Sequence, residues 1–157
     1  MGGQPAAPDE AHREIHGALP AGWPYTKKWS IGFVDDADTL IGMADVVSDL
    51  LAAGVWHIGL FIVASALQGR GMAQSLYHAL EHWAAVRGAR WLRLGVVEGN
   101  ARAERFWERC AYVEMRKRDN FDVGKLLRTV RVMAKPLAAG TLTEYLALVP
   151  RDRPESG

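Results

Sequence analysis

The chain has 157 residues, 49% of them hydrophobic and 24% charged, with a formal charge of +1. That is enough for one domain with a sizeable core, and no charge excess points to nucleic acid or a membrane as partner. One cysteine, Cys110, excludes an intrachain disulfide and fits a reducing, cytoplasmic setting, and no apolar run reaches membrane length.

Residues 1–9 are rich in Pro, Gly and Ala and are expected to be disordered. A short helix is expected over 10–19. Residues 29–34 and 39–50 are apolar, β-branched runs around an Asp-rich turn at 35–38, which reads as a hairpin. Residues 55–63 form a third strand, apolar on both faces as in the middle of a sheet. From Met72 the period changes. Ala73, Leu76, Tyr77, Leu80, Trp83 and Ala84 share one face of a helix that Arg87 and Gly88 end. A strand over 90–97 follows, then a helix with Asn100 as a good N-cap. Two closing strands are expected over 112–118 and 126–135. The order predicts an α/β (α+β) domain over 10–137, with a mixed, mostly antiparallel twisted sheet flanked by helices, and an extension over 138–157.

The segment Gln68-Gly69-Arg70-Gly71-Met72-Ala73 links the third strand to the first long helix. Backbone N–H groups and the positive end of a helix dipole then face the turn, glycine lets an anion approach closely, and Arg70 adds charge. A pyrophosphate fits such a cradle. A dinucleotide fingerprint would need a third glycine where Gln74 stands and an acidic residue about twenty positions on. A P-loop would need Gly-Lys-Ser/Thr. Neither is present.

The pattern Gln68-x-x-Gly71-x-Ala73 is followed by Asn100-x-x-Ala103-x-x-Phe106-Trp107, ending at Ala111-Tyr112. Together these resemble the two motifs of the GNAT superfamily of acetyl-CoA-dependent N-acetyltransferases, and the resemblance covers roughly residues 29–137. It implies acetyl-CoA as cofactor, with the backbone of 68–73 on its pyrophosphate. It also implies that the strand edge at Phe61 and Val63 pairs with the pantetheine arm. Asn100 would reach the cofactor from the other side of the slot, a role compatible with capping its helix. The implied partner is a small-molecule or peptide amine. Antibiotic, polyamine, amino acid, and protein N-terminus or lysine all stay open.

His57, on the strand lining the slot, stands where several family members carry a glutamate base. Imidazole near its ordinary pKa of about 6.5 could take the amine's proton, while a hydrogen-bonded core histidine is the competing reading. Asp45 and Asp49 are alternative bases or anchors for a cationic substrate, set against a solvated face. Trp107 replaces the family's usual tyrosine acid. Indole cannot release a proton at useful pH, so that role is not carried over, and packing against the thioester is the expectation in its place. His78 and His82 are spaced like metal ligands, but Ala79 stands where the metalloprotease pattern needs Glu, so no metal is expected. A non-catalytic acyl-CoA-binding module and a GNAT-fold interaction domain are the alternatives to an enzyme.

Only twenty-eight residues precede Trp29, too few for the strand and two helices with which the family's domain opens. The N-terminal unit is therefore shortened, and the hairpin strand at 29–34 is left with a free edge. The tail at 142–149, or a second subunit in a homodimer, is expected to cover it.

Overall fold

The computed structural model describes residues 11–13, 22–67, 71–123, 126–138 and 140–155. The expected disorder at 1–9, and Gln68, Gly69 and Arg70 of the glycine-rich turn, lie outside the described residues. The strands are β1 (Ala11–Arg13), β2 (Lys27–Val34), β3 (Leu40–Ser48), β4 (Val55–Ala64), β5 (Trp91–Val97), β6 (Val113–Val123) and β7 (Leu126–Pro136). The helices are α1 (Met72–Val86), α2 (Ala101–Arg109) and α3 (Leu142–Leu148). They build one sheet in the order β2-β3-β4-β5-β7-β6, with β1 paired to β4 off that path. Among the described strand pairs, only β4 and β5 run parallel. This is the mixed, mostly antiparallel sheet flanked by helices that the residue pattern predicts.

The hairpin closes as expected. Asp35 accepts hydrogen bonds from the N–H groups of Ala37 and Thr39 at 2.9 and 3.0 Å, which tightens the turn between β2 and β3. α1 buries Tyr77, Leu80 and Ala84 against Phe61, Val63, Leu92 and Leu94 of the central strands. Each large side chain removed from water in this way contributes about 1.5–3 kcal/mol. α2 lies on the same face through Ala103, Phe106 and Trp107. Asn100 caps it, its side-chain oxygen accepting from the Ala103 N–H at 3.3 Å. Arg131 of β7 ties that layer down by donating to Glu104 and Glu108 of α2 and Glu114 of β6.

Two expectations need correction. Of the helix expected over 10–19, residues 11–13 are described, and they form a strand antiparallel to Ile62–Ala64, with Ala11 opposite Ala64 and Arg13 opposite Ile62. The tail does not cover the free edge of β2. Its helix α3 instead seats Tyr145 in a second core with Val55, Trp91, Met115, Ala134 and Val149, on the sheet face opposite α1 and α2. A sheet face offers more apolar area than one strand edge does, and burial decides where the tail goes. β2 keeps its edge free among the described residues, with the exposed lysines Lys27 and Lys28 at its start.

The tail's seat is tight. Thr141 and Glu144 form a capping box at the start of α3, and the Trp91 indole N–H donates to the Thr141 carbonyl at 2.7 Å. A Cβ at Gly140 would lie 2.8 Å from both the Arg90 carbonyl oxygen and the Trp91 Nε1, so this approach requires glycine.

Candidate active site

β4 and β5 pair at only three positions, Val55 with Trp91, Trp56 with Leu92 and His57 with Arg93. β4 continues to Ala64 and β5 to Val97 without a further pair, so beyond His57 and Arg93 the strands diverge. The result is a V-shaped opening whose apex is the His57–Arg93 pair. A bulge sits just past the apex. Asp45 pairs with Leu60 and Val46 with Ile58, leaving Gly59 as the extra residue. A Cβ built at Gly59 meets nothing within 4 Å, so the bulge borders open space.

α1 starts at the wide end of the opening. Gly71, at φ 72°, occupies the left-handed region as N-cap, no side chain caps the helix, and no acidic residue stands in its first turn. Among the described residues no side chain takes the N–H groups at the start of α1, where the positive helix end lies. Asn100 stands at the start of α2 after β5, on the other arm of the V.

Phe61 and Val63 turn their side chains into the core under α1, which leaves their backbone to define the slot. One edge of β4 is held by β3, with Ala44 opposite Phe61 and Gly42 opposite Val63. The other edge, freed by the divergence from β5, is held by β1, with His12 opposite Val63. The edge expected to take a pantetheine arm therefore carries the chain's own residues 11–13 in this structure.

His57 has partners different from those a general base needs. It lies on the α3 side of the sheet, buried, with the Arg93 guanidinium donating to its Nδ1 at 3.1 Å. That bond consumes the Nδ1 lone pair and leaves the proton on Nε2. Burial first, and then the Arg93 charge, push its pKa well below 6.5 despite the opposing field of Asp152. An imidazole whose one basic nitrogen faces a fixed cation is a poor proton acceptor, so this geometry speaks against the expected base role. Asp49 is a turn residue, accepting from the Gly54 N–H at 2.8 Å. Asp45 is half-buried beside the bulge on the face away from α1, accepting from the Ser30 hydroxyl at 3.0 Å.

Sequence reasoning missed the cluster around His57. Arg93 grips Asp152 through two hydrogen bonds of 2.6 and 3.0 Å, and the Tyr145 hydroxyl donates to the same carboxylate. Burial disfavours the Arg93 charge, yet the bonds and charge of Asp152 raise its pKa above the usual value. Burial likewise works against the Asp152 carboxylate, and Arg93 overcomes it, so that pKa is lowered. The sole sequence signal was an arginine in the middle of an apolar strand.

Trp107 is fully buried in an aromatic cluster, 5.7 Å from Phe61, 5.4 Å from Tyr77 and 5.3 Å from Tyr112 between ring centres. It supports the slot from behind, and the expectation that it packs against a thioester finds no exposed surface to act through. Beside it the Tyr77 and Tyr112 hydroxyls are 3.0 Å apart, and Tyr77 donates to Glu81, which also receives Lys135. Burial raises the pKa of both tyrosines, so both stay protonated phenols. Ala111, where the family pattern has glycine, sits at φ 74° and carries the strain that position implies. His78 and His82 are exposed, and no group of three metal-ligating side chains occurs among the described residues.

The edge of β4 that diverges from β5 takes an extended chain, here β1, and α1 starts at Gly71, which carries no Cβ. No helix among the described residues is long and apolar enough to cross a membrane.

Comparison with known proteins agrees with this geometry. The chain is similar in structure to a GCN5-related N-acetyltransferase from Kribbella flavida, with 26% identity and a TM-score of 0.58, covering 76% of this chain and 71% of that one. It is also similar to spermidine N-acetyltransferase from Vibrio cholerae in complex with CoA and spermine, with 20% identity and a TM-score of 0.62, over 69% of this chain and 65% of that one. An acetyltransferase from Bacillus cereus ATCC 14579 shares 18% identity with a TM-score of 0.56, over 71% of this chain and 74% of that one. The last two likenesses concern the fold alone. No curated protein matches it by sequence. The sequence model of the acetyltransferase (GNAT) family matches residues 6–112, more than half of the chain. With that match, the diverging β4–β5 pair and the uncapped start of α1 in hand, the chain belongs to the GNAT acetyltransferase family.

Proposed function

We propose that the chain is an N-acetyltransferase that uses acetyl-CoA and acts on an amine. The observation that carries this reading is the divergence of β4 from β5 just beyond His57 and Arg93, beside an α1 start left open at Gly71. Acetyl-CoA supplies an acetyl group activated as a thioester when bound. The N–H groups at 68–73 would hold its pyrophosphate, and the β4 edge at Phe61 and Val63 would pair with its amide arm once β1 has left. Asn100 would border the opposite arm of the slot.

The acceptor must lose a proton to attack. Asp45, beside the Gly59 bulge, attracts the ammonium form, and the proton leaves to water. His57 orients Arg93. The spermidine enzyme among the structural neighbours makes polyamines one class worth screening. The test is a calorimetric titration with acetyl-CoA, followed by release of free thiol with a panel of amines. Saturable binding with amine-dependent thiol release is expected, and absence of binding would overturn the reading.

A second reading, a non-catalytic acyl-CoA-binding module, draws on the buried Trp107 and the engaged His57. Binding without thiol release across the panel would favour it.

A further inference from the structure

The sheet face opposite α1 concentrates positive charge around one ring. The Arg151 guanidinium lies 4.5 Å from the centre of Trp23, and those of Arg93 and Arg118 each lie 5.4 Å from it. Arg116 joins them by donating to the Arg151 carbonyl oxygen at 2.9 Å. Among the described residues the carboxylate bonded within this group is Asp152, and Arg93 occupies it with two hydrogen bonds.

The remaining three have no carboxylate partner among the described residues. The Nε of Arg118 is buried and has no hydrogen-bond partner among the described residues. Burial, then the charges of Arg93, Arg116 and Arg151, lower the pKa of Arg118, so the arrangement opposes its own charge. Like charges held together against repulsion, with a buried donor left unpaired, are the complement of an oxyanion. Arginine's planar fork matches carboxylate and phosphate oxygens with paired donors, and a free Nε–H is one of the two that a side-on pair uses.

The position of the cluster matters as much as its charge. Trp23 touches Arg93, and Arg93 with His57 forms the apex of the V. A carrier anchored at the start of α1, which follows the C-terminal end of β4, lies along β4 with its reactive end toward that apex. The cluster is one to two strand spacings away, roughly 5–10 Å, on the same face of the sheet as His57 and Arg93. We infer that Trp23, Arg116, Arg118 and Arg151 form an acceptor subsite for an oxyanion, so that the preferred acceptor carries a carboxylate or phosphate close to its amine. This rests on the acetyltransferase reading, and it sets the chain apart from polyamine specificity, since a polycation is repelled there.

Two measurements test it. In the first, thermal stability is followed in sodium phosphate and in sodium chloride at equal ionic strength, for the native chain and for Arg118→Gln with Arg151→Gln. Phosphate-specific stabilisation is expected in the native chain and is lost in the double variant, which melts no lower than the native chain in chloride because repulsion has been relieved. In the second, kcat/KM is compared for matched amines: glycine against glycinamide, O-phosphoethanolamine against ethanolamine, and spermidine as a cationic control. The anionic member of each pair is expected to lead by at least about tenfold. The double variant is expected to lose that lead through KM while its affinity for acetyl-CoA stays unchanged. Equal use of both members, preference for spermidine, or a lead that survives the double substitution would overturn the subsite and leave the acetyltransferase reading standing. If no amine is turned over, that reading fails, and the phosphate comparison alone decides whether the anion site exists.

Discussion

Arg93 and Asp152 are fifty-nine residues apart in sequence and joined side-on by two hydrogen bonds of 2.6 and 3.0 Å, both side chains almost wholly out of water. One belongs to the central strand β5 and the other to the turn after α3, so the pair bolts the tail onto the sheet. Removing one partner leaves a buried charge unmatched, which costs about 3–5 kcal/mol. Asp152→Ala is therefore expected to lower Tm by roughly 10 °C. Arg93→Met combined with Asp152→Leu should recover much of that loss, because no unpaired charge remains. Differential scanning calorimetry on the three variants checks this, and equal loss in the single and double variants would contradict it.

The same cluster sets a pH dependence with two windows. The folded-state pKa of His57 is lowered below the unfolded value of about 6.5. The unfolded chain then binds more protons than the folded one as pH falls from there. Stability is present in full above about pH 6.5 and is lost as pH drops through the lowered folded value. Asp152 has the same sign lower down, its contribution complete above about pH 3.9 and lost as pH falls through its own lowered value. Tm should accordingly fall between pH 6.5 and 4.5 in the native chain. His57→Gln, whose amide oxygen can still accept from Arg93, should flatten that window and leave the steeper acid loss untouched. An unchanged slope in the variant would remove His57 as its source.

Gly71 offers a way to separate cofactor binding from folding. Aspartate tolerates the left-handed region and is a good N-cap, so Gly71→Asp should leave Tm within about 1 °C. Its carboxylate, however, would sit at the end of α1 where a pyrophosphate is expected. Affinity for coenzyme A should drop at least about tenfold, read by calorimetric titration. Undiminished affinity would move the pyrophosphate elsewhere.

β1 and an acyl carrier compete for one edge of β4. Apparent affinity is the intrinsic affinity scaled by the fraction of molecules with the edge free. Deleting residues 1–13 should tighten acetyl-CoA binding by up to about tenfold, a figure that corresponds to β1 docked in nine molecules of ten. A deletion that weakens binding would mean that the segment helps to hold the carrier.

Much of the fold was legible because its signals are local. The bounds of α1 follow from the change of period at Met72 and the stop at Arg87 and Gly88, and Asn100 announces α2 through its own side chain. The hairpin follows from the aspartates between its strands. β1 escaped because three residues carry no period and their pairing is with a strand some fifty positions on. The seat of α3 escaped for a related reason: an apolar tail shows that it must be buried, and nothing in it says against what. In the site, residue types pointed to the turn and the strand edge, whereas the fate of His57 depends on which of its nitrogens meets Arg93. A lone pair's occupancy is a three-dimensional fact. The gathering of Arg118 and Arg151 on Trp23, with Arg116 held beside them, draws on three separate stretches of chain and has no signature in any one of them.

The docking of α3 on Trp91, through Gly140 and the capping box at Thr141, carries a consequence for how the molecule is made. Synthesis proceeds from the N-terminus, so the first core, under α1 and α2, can close while the tail is still being translated. The second cannot. Until residues 141–152 emerge, Trp91, Val55 and Ala134 lack their cover and Arg93 its counter-ion. A nascent chain at that stage presents a half-finished sheet with a sticky side, and only the emergence of residues 141–152 closes it.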